Sequence, residues 1–353
     1  MPGNQSSSSS TSSPRIVVFG AGSVGCYVGG RLLASGANVV MVGRPRLRAV
    51  FDDQPLRLSD YQGFATEVSL SPEQFTDDPG VAASADLVLI TVKSAATIEA
   101  ANTLADLLPG GVPVISLQNG ISNAEQLRSR LPGARVCAGM IPFNVLQKSP
   151  GHFHHGTEGH LMAAHDSRLE PFLPIFERSG LPLELRDDMT SVMWSKLLLN
   201  LNNPINALSN VPLLEELSDR DYRRCLAMAQ RETLALMKRA GIAPVQLTAL
   251  PMPLVPVVMS LPDWLFSRLA KRMLAIDPIA RSSMWEDLEA GRPTEVDWIN
   301  GEVVRLANSL GQPAPINQRL TQLVHDCEQN RRRWSGDELI AELRAVQFSA
   351  PDR

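Results

Sequence analysis

The feature that most constrains the fold is a glycine-rich turn that joins a short apolar strand to a helix. A β-branched run occupies residues 15–19 (RIVVF), and the turn follows at 20–25 (GAGSVG), ahead of a helical pattern. In this context the G-x-G-x-x-G spacing is typical of strand–turn–helix units that bind a dinucleotide. Gly20 permits the tight turn, Gly22 lets a pyrophosphate approach the backbone, and Gly25 lets helix and strand pack closely. The turn therefore predicts a dinucleotide site, with a ligand-free glycine turn as the alternative.

The end of a second apolar run indicates which dinucleotide binds. An Asp or Glu at this point binds the ribose 2′-hydroxyl of NAD. The chain instead reads Val42-Gly43-Arg44, with Arg46 and Arg48 behind. A carboxylate would repel a 2′-phosphate, whereas a guanidinium can bind it with two hydrogen bonds. The sequence therefore predicts NADP(H) with Arg44 as the contact, and solvated loop arginines are the alternative.

Apolar strands alternate with helices in the first half of the chain. After 15–19, strand-like runs recur at 38–42, 86–92, 112–117 and 135–140, with helical windows between them. This alternation predicts a parallel sheet that is covered on both faces. Alternating residues and several glycines at 151–164 predict a β-hairpin extension.

From about Asp188 onward the strand signals stop and helical windows take over. They lie at 190–203, 214–239, 263–290, 294–310 and 314–346. The predicted fold class is α/β, with an N-terminal Rossmann-type parallel-sheet domain followed by an all-helical C-terminal domain. The predicted domains are a disordered serine-rich tail at 1–14, an NADP-binding domain at 15–188 and a helical substrate and catalytic domain at 189–346.

Composition favours a globular protein of a reducing compartment. A net charge of −4 argues against a general electrostatic grip on nucleic acid. Four scattered cysteines without a CxxC pair fit neither a disulfide framework nor a zinc knuckle. The serine tract does not resemble a secretory signal, and five prolines interrupt the uncharged stretch between Arg239 and Asp263. We therefore expect a cytoplasmic protein that binds neither nucleic acid nor membrane.

Five motifs occur in order along the chain. They are GAGSVG with the Arg44 strand end, Val92-Lys93, Leu117-Gln118-Asn119-Gly120, Lys196-Leu-Leu-Leu-Asn200, and Ser282-Ser283-Met284 together with PTEVDWING at 293–301. Jointly they resemble the ketopantoate reductase (2-dehydropantoate 2-reductase) family from Arg15 to about Arg344. The resemblance implies a Rossmann domain, a helical domain similar to the C-terminal domain of 6-phosphogluconate dehydrogenase, and an active site in the cleft between them.

The resemblance also implies a reaction, the reduction of a 2-oxo acid by NADPH. Ketopantoate, reduced to pantoate as in pantothenate biosynthesis, is the favoured substrate. Lys196 would be the catalytic acid, Glu295 would accept the substrate's terminal hydroxyl or position Lys196, and Ser283 would bind the carboxylate. The expected substrate-binding residues are Asn119, Asn200, Asn203 and Ser283. The expected cofactor-binding residues are Gly20, Ala21, Gly22, Ser23, Val24, Gly25, Arg44, Lys93 and Asn119.

Simpler interpretations of these residues stay open. A lysine and asparagines on one helix are usually solvated, although Lys196 lies among leucines, Met193 and Trp194. Pro293 predicts a helix start, so Glu295 would fall in the first turn, where the helix dipole alone favours a carboxylate. Ser283 could be an ordinary serine on a helix surface.

Four histidines crowd together on the predicted hairpin. A metal site is an obvious question, and His152 and His154 would share a face of a strand. However, no carboxylate or cysteine completes a ligand set, and hydride transfer needs no metal. We therefore expect no metal and interpret the histidines as hairpin residues; they are His152, His154, His155 and His160.

Two departures from the family pattern bear on the substrate. Many members read Asn-xxx-Asn-Pro, but this chain reads Asn200-Leu-Asn202-Asn203-Pro204, which is one residue shorter. Either Asn202 or Asn203 could therefore be the second asparagine that contacts the substrate. The apolar region 244–280 is longer than in compact members and could form a lid, a homodimer surface or a pocket wall. A reductase of another 2-oxo acid or hydroxy acid is the main alternative, and a non-catalytic NADP-binding sensor is a weaker one.

Overall fold

The computed structural model describes residues 13–269 and 279–349. Contacts divide the chain into two units, which we treat separately. Unit 1 comprises the chain up to Gln118 and Ala124–Asp187, and unit 2 comprises Asn119–Asn123 and the chain from Asp188 onward. Most of the predicted tail at 1–14 lies outside the described residues. The same holds for 270–278 within the apolar region.

Unit 1 contains twelve strands among its described residues. They are β1 (Arg15–Phe19), β2 (Asn38–Val42), β3 (Leu56–Asp60), β4 (Ala65–Val68), β5 (Phe75–Thr76), β6 (Leu87–Ile90), β7 (Pro113–Ser116), β8 (Arg135–Met140), β9 (Val145–Ser149), β10 (His152–His155), β11 (Leu161–Ala164) and β12 (Leu183–Arg186). Eight of them form one sheet in the order β12-β11-β8-β7-β6-β1-β2-β5. Neighbours in this sheet are parallel except β11 and β8.

The central strands of this sheet are buried, which explains why their apolar runs could be predicted from the sequence. β1, β6 and β7 are buried on both faces because α-helices cover the sheet. These helices include α1 (Ser23–Ala34), α2 (Pro45–Asp53), α3 (Thr97–Leu104), α4 (Asn123–Arg130) and α5 (Leu173–Arg178). The chain reverses its strand order at β1, which pairs with both β2 and β6. Ligands of open α/β sheets bind at such a switch point. The predicted Rossmann-type fold is therefore confirmed.

The predicted hairpin at 151–164 differs from the structure. The hairpin is formed by β9 and β10, and its turn contains Gly151 at φ +70°. β11 instead joins the large sheet antiparallel to β8. The hairpin extends a second sheet, ordered β4-β3-β10-β9, which the sequence analysis did not predict. Half of the side chains in β3 and β4 are polar, so these strands carry no continuous apolar run.

Unit 2 is helical, as predicted. Its helices are α6 (Met189–Asn200), α7 (Asn202–Ser209), α8 (Leu213–Ser218), α9 (Arg220–Arg239), α10 (Val255–Met259), α11 (Asp263–Leu269), α12 (Ser283–Glu289), α13 (Val296–Ser309), α14 (Pro315–Gln329) and α15 (Gly336–Ser349). They pack around one core that runs from Trp194 to Leu343.

Only one predicted helical window, 294–310, holds a single helix. The window 190–203 is divided between α6 and α7, and 214–239 is divided between α8 and α9. The window 314–346 is split between α14 and α15, and the window 263–290 has separate helices at its two ends. The apolar stretch before α11 holds only a short 3-10 turn and α10, as its prolines predicted. None of the described helices is long and apolar enough to cross a bilayer.

Candidate functional site

Unit 1 holds the glycine turn at the carboxyl end of β1. Gly20 has φ +116°, and a Cβ there would collide with the backbone of Val92. A Cβ on Gly25 would collide with the carbonyl oxygen of Gly20. The same oxygen accepts a hydrogen bond of 2.8 Å from the Thr91 hydroxyl. Both glycines are therefore needed to seat α1 against the strands.

Gly22 differs because its Cβ position faces open space. No atom lies within 4 Å of a Cβ added there. Gly22 is also the N-cap of α1, which has neither a side-chain cap nor an acidic residue in its first turn. The first N–H groups of a helix have no partner within the helix, and they attract anions. The space over Gly22 and the uncapped amides therefore fit a pyrophosphate, and Ala21, Ser23 and Val24 complete this turn.

The end of β2 lies directly beside this turn. The N–H groups of Gly20 and Ala21 donate to the Val42 carbonyl at 3.0 and 2.8 Å. A Cβ on Gly43 would lie 2.7 Å from that of Ala21, so only glycine allows this approach. Arg44 follows and is exposed. The strand end thus brings an arginine, and no carboxylate, next to the glycine turn.

The other two arginines differ from Arg44. Arg48 donates to the Asp52 carboxylate at 3.0 Å and to the Phe75 carbonyl, so it braces α2 against β5. Arg46 is exposed on the first turn of α2. Arg48 is therefore structural, which leaves Arg44 and Arg46 as available cations.

Lys93 lies three residues beyond β6, on the exposed segment that leads into α3. The segment is fixed by Gln118, whose amide donates to the Val92 carbonyl at 3.1 Å and to the Thr97 hydroxyl at 2.7 Å. Gln118 is a positioning residue that the sequence analysis missed, although it belongs to the Leu117-Gln118-Asn119-Gly120 motif.

Unit 2 holds Lys196 on a helix that is otherwise largely buried. On α6, the neighbours Met193, Trp194, Leu197 and Leu198 are at most 8% exposed. Burial lowers the pKa of Lys196 to about 8, and the nearby charge of Glu295 opposes this change. A lysine in such a place is not a solvated surface residue. It can exchange a proton close to neutral pH.

Glu295 faces both Lys196 and Asn119. Its carboxylate is 6% exposed and accepts a hydrogen bond of 3.1 Å from the Asn119 amide. The expectation that Glu295 lies in the first turn of α13 was wrong, because the helix begins at Val296 and Asp297 is the acid in that turn. Glu295 is the N-cap residue but makes no capping hydrogen bond. A capping role therefore does not explain the position of this carboxylate.

The segment Asn119–Asn123 belongs to unit 2 because α13 holds it. Oε1 of Glu302 accepts from the N–H of Ile121 at 3.2 Å, the N–H of Ser122 at 2.9 Å and the Ser122 hydroxyl at 2.6 Å. Gly120, at φ +92°, packs so tightly against Trp298 that a Cβ would lie 2.7 Å from its carbonyl oxygen. Glu302 and Trp298 therefore keep Asn119 beside Glu295. The sequence analysis missed both, since nothing local signals a pairing across 180 residues.

The remaining predicted substrate residues lie on three helix ends of unit 2. Asn200 is the last residue of α6, one turn beyond Lys196, and Asn203 is in the first turn of α7. Ser283 is the first residue of α12, where the buried Ser282 caps the helix by accepting from the N–H of Trp285 at 3.1 Å. The Ser282 hydroxyl is also 3.3 Å from the Asn203 carbonyl. Ser282 has the capping role, so Ser283 is not needed for it.

The predicted site residues thus fall into two groups. Unit 1 contains the glycine turn, Arg44 and Lys93. Unit 2 contains Lys196, Glu295 and Asn119 in one cluster, with Asn203 and Ser283 joined through Ser282. Asn119, which was expected to contact both cofactor and substrate, is bound to unit 2.

The histidines of the hairpin have partners of their own. Ser59 of β3 lies 2.8 Å from Nε2 of His152 and 2.8 Å from Nδ1 of His154, so the two rings share a face as predicted. His155 is buried, with its Nδ1 3.3 Å from the Tyr27 hydroxyl. No group of three or more His, Cys, Asp or Glu side chains suited to a metal occurs within 13–269 and 279–349.

Comparison with known proteins places the chain in a family. A model described as "Ketopantoate reductase PanE/ApbA" matches residues 16–165, and its C-terminal counterpart matches residues 188–328. The chain belongs to the ketopantoate reductase family. The 2-dehydropantoate 2-reductase of Halobacterium salinarum is 30% identical over 318 residues, covering 88% of this chain and 97% of that protein. The Pyrococcus horikoshii enzyme of the same name is 27% identical over 317 residues, covering 88% and 96%.

Solved structures extend the comparison. A PanE/ApbA family ketopantoate reductase from Ralstonia eutropha superposes with a TM-score of 0.76 and 30% identity, covering 89% of this chain and 98% of that one. A D-mandelate dehydrogenase solved with NADH and anilino(oxo)acetate has a TM-score of 0.73 over 89% and 98% of the two chains. It is only 19% identical, so it shows a shared fold alone. Members of the ketopantoate reductase family are oxidoreductases that act on a CH–OH group, and the family points to a nicotinamide cofactor.

Proposed function

We propose that the protein reduces a 2-oxo acid with NADPH, and that its substrate is ketopantoate, which it converts to pantoate for pantothenate biosynthesis. The observation that carries this proposal is the partly buried Lys196 facing Glu295, whose carboxylate accepts a hydrogen bond from Asn119. Those three residues match the family motifs that were recognised in the sequence. A sensor without catalytic function would not need a lysine held in this environment.

Lys196 is suited to act as the acid of this reaction. Reduction of the C2 carbonyl develops an alkoxide, which needs a proton donor within hydrogen-bond reach. An ammonium with a pKa of about 8 is protonated at neutral pH and can still release its proton. Glu295 keeps this ammonium from losing its proton too early, since its negative charge raises the pKa of Lys196. The hydride chemistry belongs to the cofactor when it is bound.

Substrate binding is assigned to polar side chains around this lysine. Asn200 lies one turn from Lys196 on α6, and Asn203 and Ser283 are joined through Ser282. Their amides and hydroxyl can donate to the carboxylate of a 2-oxo acid. Asn119 donates to Glu295, so it positions that carboxylate beside the substrate.

The preference for NADPH rests on the end of β2. Arg44 is an exposed guanidinium next to the uncapped glycine turn, and the carboxylate that NAD sites carry at this strand end is missing there. A 2′-phosphate would gain a bidentate partner, whereas NADH would gain none. We therefore expect Arg44→Ala to weaken NADPH binding and leave NADH binding nearly unchanged. Arg46→Ala is the matched control, because it removes an exposed charge two residues away.

The deciding experiment follows NADPH oxidation with ketopantoate, with NADH in parallel. Turnover with NADPH and little with NADH would support the substrate, the reaction and the role of Arg44 together. Lys196→Ala should then lower kcat about 100-fold or more while NADPH binding persists. NADPH binding without turnover would refute ketopantoate as the substrate, and a panel of bulkier 2-oxo acids would follow. An unchanged kcat in Lys196→Ala would refute the mechanism.

A homodimer is the proposed assembly. Apolar side chains of the region 244–280 are unusually exposed, with Trp264 at 66% and Val257 at 52%. A surface of this kind favours association with a second copy. One fold neighbour, from Staphylococcus aureus, is a dimeric ketopantoate reductase. Light scattering tests the proposal, and a monomer at micromolar concentration would refute it.

A further inference from the structure

A buried carboxyl group lies inside unit 2, and no cation of the part of the chain that the structure describes pairs with it. Glu216 of α8 is 0% exposed. Its Oε2 accepts a hydrogen bond of 2.6 Å from the Asn206 amide, and the Asn202 side chain is within hydrogen-bond reach. Within the described residues, these two amides are the only groups that favour its charged form. Neither the family motifs nor the proposed mechanism uses this glutamate.

Two orphaned oxygen atoms indicate the protonation state of Glu216. Among residues 13–269 and 279–349, Oε1 of Glu216 and Oδ1 of Asn202 are both buried and have no hydrogen-bond partner. A carboxylate cannot donate, whereas a proton on Oε1 would let the acid donate to an acceptor, and the Asn202 side chain within reach of Glu216 carries such an acceptor in Oδ1. An ionised Glu216 would instead be a buried carboxylate without a counter-charge, which is far more costly. Burial raises the pKa of Glu216 to about 8, in the same direction.

The network continues from Glu216 to the residues assigned to the substrate. Oδ1 of Asn206 accepts from the N–H of Ser282 at 2.8 Å. The Ser282 hydroxyl lies 3.3 Å from the Asn203 carbonyl and caps α12, whose first residue is Ser283. Glu216 therefore connects to both Asn203 and Ser283 through two hydrogen-bonded residues.

We propose that Glu216 is a positioning residue that acts as a neutral carboxylic acid, donating to Asn202 and accepting from Asn206, and that it fixes Asn203 and Ser283 for the 2-oxo acid. The positioning half rests on the proposed function, because it needs a substrate to be measured. The protonation half does not. This role involves only hydrogen bonds of Glu216, and no covalent bond is made or broken.

The titratable groups around Glu216 leave its proton undisturbed near neutral pH. Helix α8 packs against α9 and α7, and α9 presents Tyr222 and Cys225 to this carboxyl. Burial raises the pKa of the Tyr222 hydroxyl to about 12 and raises that of the Cys225 thiol. Arg223, also on α9, donates to the Leu217 and Ser218 carbonyls and to Asp263 instead. The asparagines that α7 contributes do not titrate.

Glu216→Gln separates the two protonation states. The glutamine amide supplies an N–H donor and a carbonyl acceptor where the neutral acid has its O–H and C=O, so this variant should keep the KM for ketopantoate within about twofold. Glu216→Leu removes the network and should raise KM about tenfold, equal to about 1.4 kcal/mol, with a smaller effect on kcat. Asn206→Ala breaks the connection between Glu216 and Ser282. Combining it with Glu216→Leu should raise KM no further than either substitution alone. Glu215→Gln is the matched control, because Glu215 is the exposed neighbour on α8.

The protonation half is read without any substrate. At pH 7 the infrared difference between wild type and Glu216→Gln should contain the carbonyl stretch of a protonated carboxylic acid, and Glu215→Gln should not remove that band. Above pH 8 the KM of the wild type should rise relative to that of Glu216→Gln, as the acid loses its proton. A missing band, or a Glu216→Gln that behaves like Glu216→Leu, would overturn the neutral acid. An unchanged KM in both Glu216→Leu and Asn206→Ala would overturn the positioning role. If ketopantoate is not turned over, the infrared result still decides the protonation state.

Discussion

Replacing Glu295 with glutamine tests the acid role of Lys196 more sharply than removing the lysine does. The Glu295 carboxylate accepts from the Asn119 amide at 3.1 Å, and glutamine keeps an oxygen in that place. The substitution therefore removes a negative charge and leaves this hydrogen bond. Since the charge of Glu295 opposes the effect of burial on Lys196, the pKa of Lys196 should fall below its value of about 8.

The size of the effect follows from the titration of Lys196. With a pKa of about 8, about nine-tenths of the free protein carries the ammonium at pH 7 and about one-tenth at pH 9. The kcat/KM of the wild type should accordingly fall about tenfold between these two pH values. In Glu295→Gln the same fall should occur at lower pH. The variant therefore loses activity relative to wild type as pH rises from 6 toward 8, and the ratio then levels off.

The assay is the initial rate of NADPH oxidation across this pH range at low ketopantoate, because kcat/KM reports the groups of the free protein. Glu289→Gln is the matched control. It removes an acid of α12 that is paired with Arg331 on the surface, and it should not move the alkaline limb. A profile of Glu295→Gln that superimposes on that of the wild type would show that Lys196 is not the titrating acid, or that Glu295 does not act on it.

Three further predictions follow from the described residues. Gly22→Ala should unfold at the same urea concentration as wild type but bind NADPH more weakly in a fluorescence titration. Gly25→Ala should unfold at a lower urea concentration, because its Cβ would collide with the Gly20 carbonyl oxygen. Equal stability of the two variants would contradict this prediction. Glu302→Ala should lower the free energy of unfolding by about 2 kcal/mol, and Ser122→Ala by less, since only one of the three bonds to Glu302 is lost; equal losses would contradict this. Partial burial lowers the pKa of His325, but hydrogen bonds to Glu328 and Asp297 outweigh it and raise the pKa above its usual value. Because the pKa of His325 is raised in the folded state, its protonated ring stabilises the fold at low pH, and this stabilisation is lost as pH rises through the folded-state pKa. In His325→Gln the free energy of unfolding should therefore change less with pH over this range.

The sequence predicted the elements whose burial is uniform. β1 and β2 have the predicted limits, since their apolar runs are buried on both faces of a parallel sheet. β3 is half polar because it belongs to the smaller sheet, and it was missed. The break between α14 and α15 was missed for another reason. The N–H of Trp334 donates to the Leu208 carbonyl at 2.9 Å, and this tertiary bond replaces a helical one that local propensity would favour.

For the candidate site, the sequence identified residue types but not their pairings. Lys196, Asn119 and Glu295 were singled out from separate motifs, and the motifs carried no sign that the Asn119 amide binds the Glu295 carboxylate. The partners that hold these residues are long-range as well. Glu302 reaches back to Ser122, and Gln118 reaches back to Val92 and Thr97. Periodicity and spacing describe one helix or strand at a time, so contacts of this kind become visible only once the chain is folded.

The shortened asparagine motif shows how the folded chain narrows a question that spacing left open. α6 ends at Asn200, and α7 begins at Asn202, so the next two asparagines leave the helix start in different directions. The Asn202 side chain reaches the buried Glu216, and its Oδ1 is itself buried. Asn203 is partly exposed, and its main-chain carbonyl accepts a hydrogen bond from the Ser282 hydroxyl, next to Ser283. An asparagine committed to an internal carboxyl is a poor ligand for a substrate. Asn203 is therefore the better candidate to join Asn200 in the proposed substrate site, whereas Asn202 has a separate, internal role.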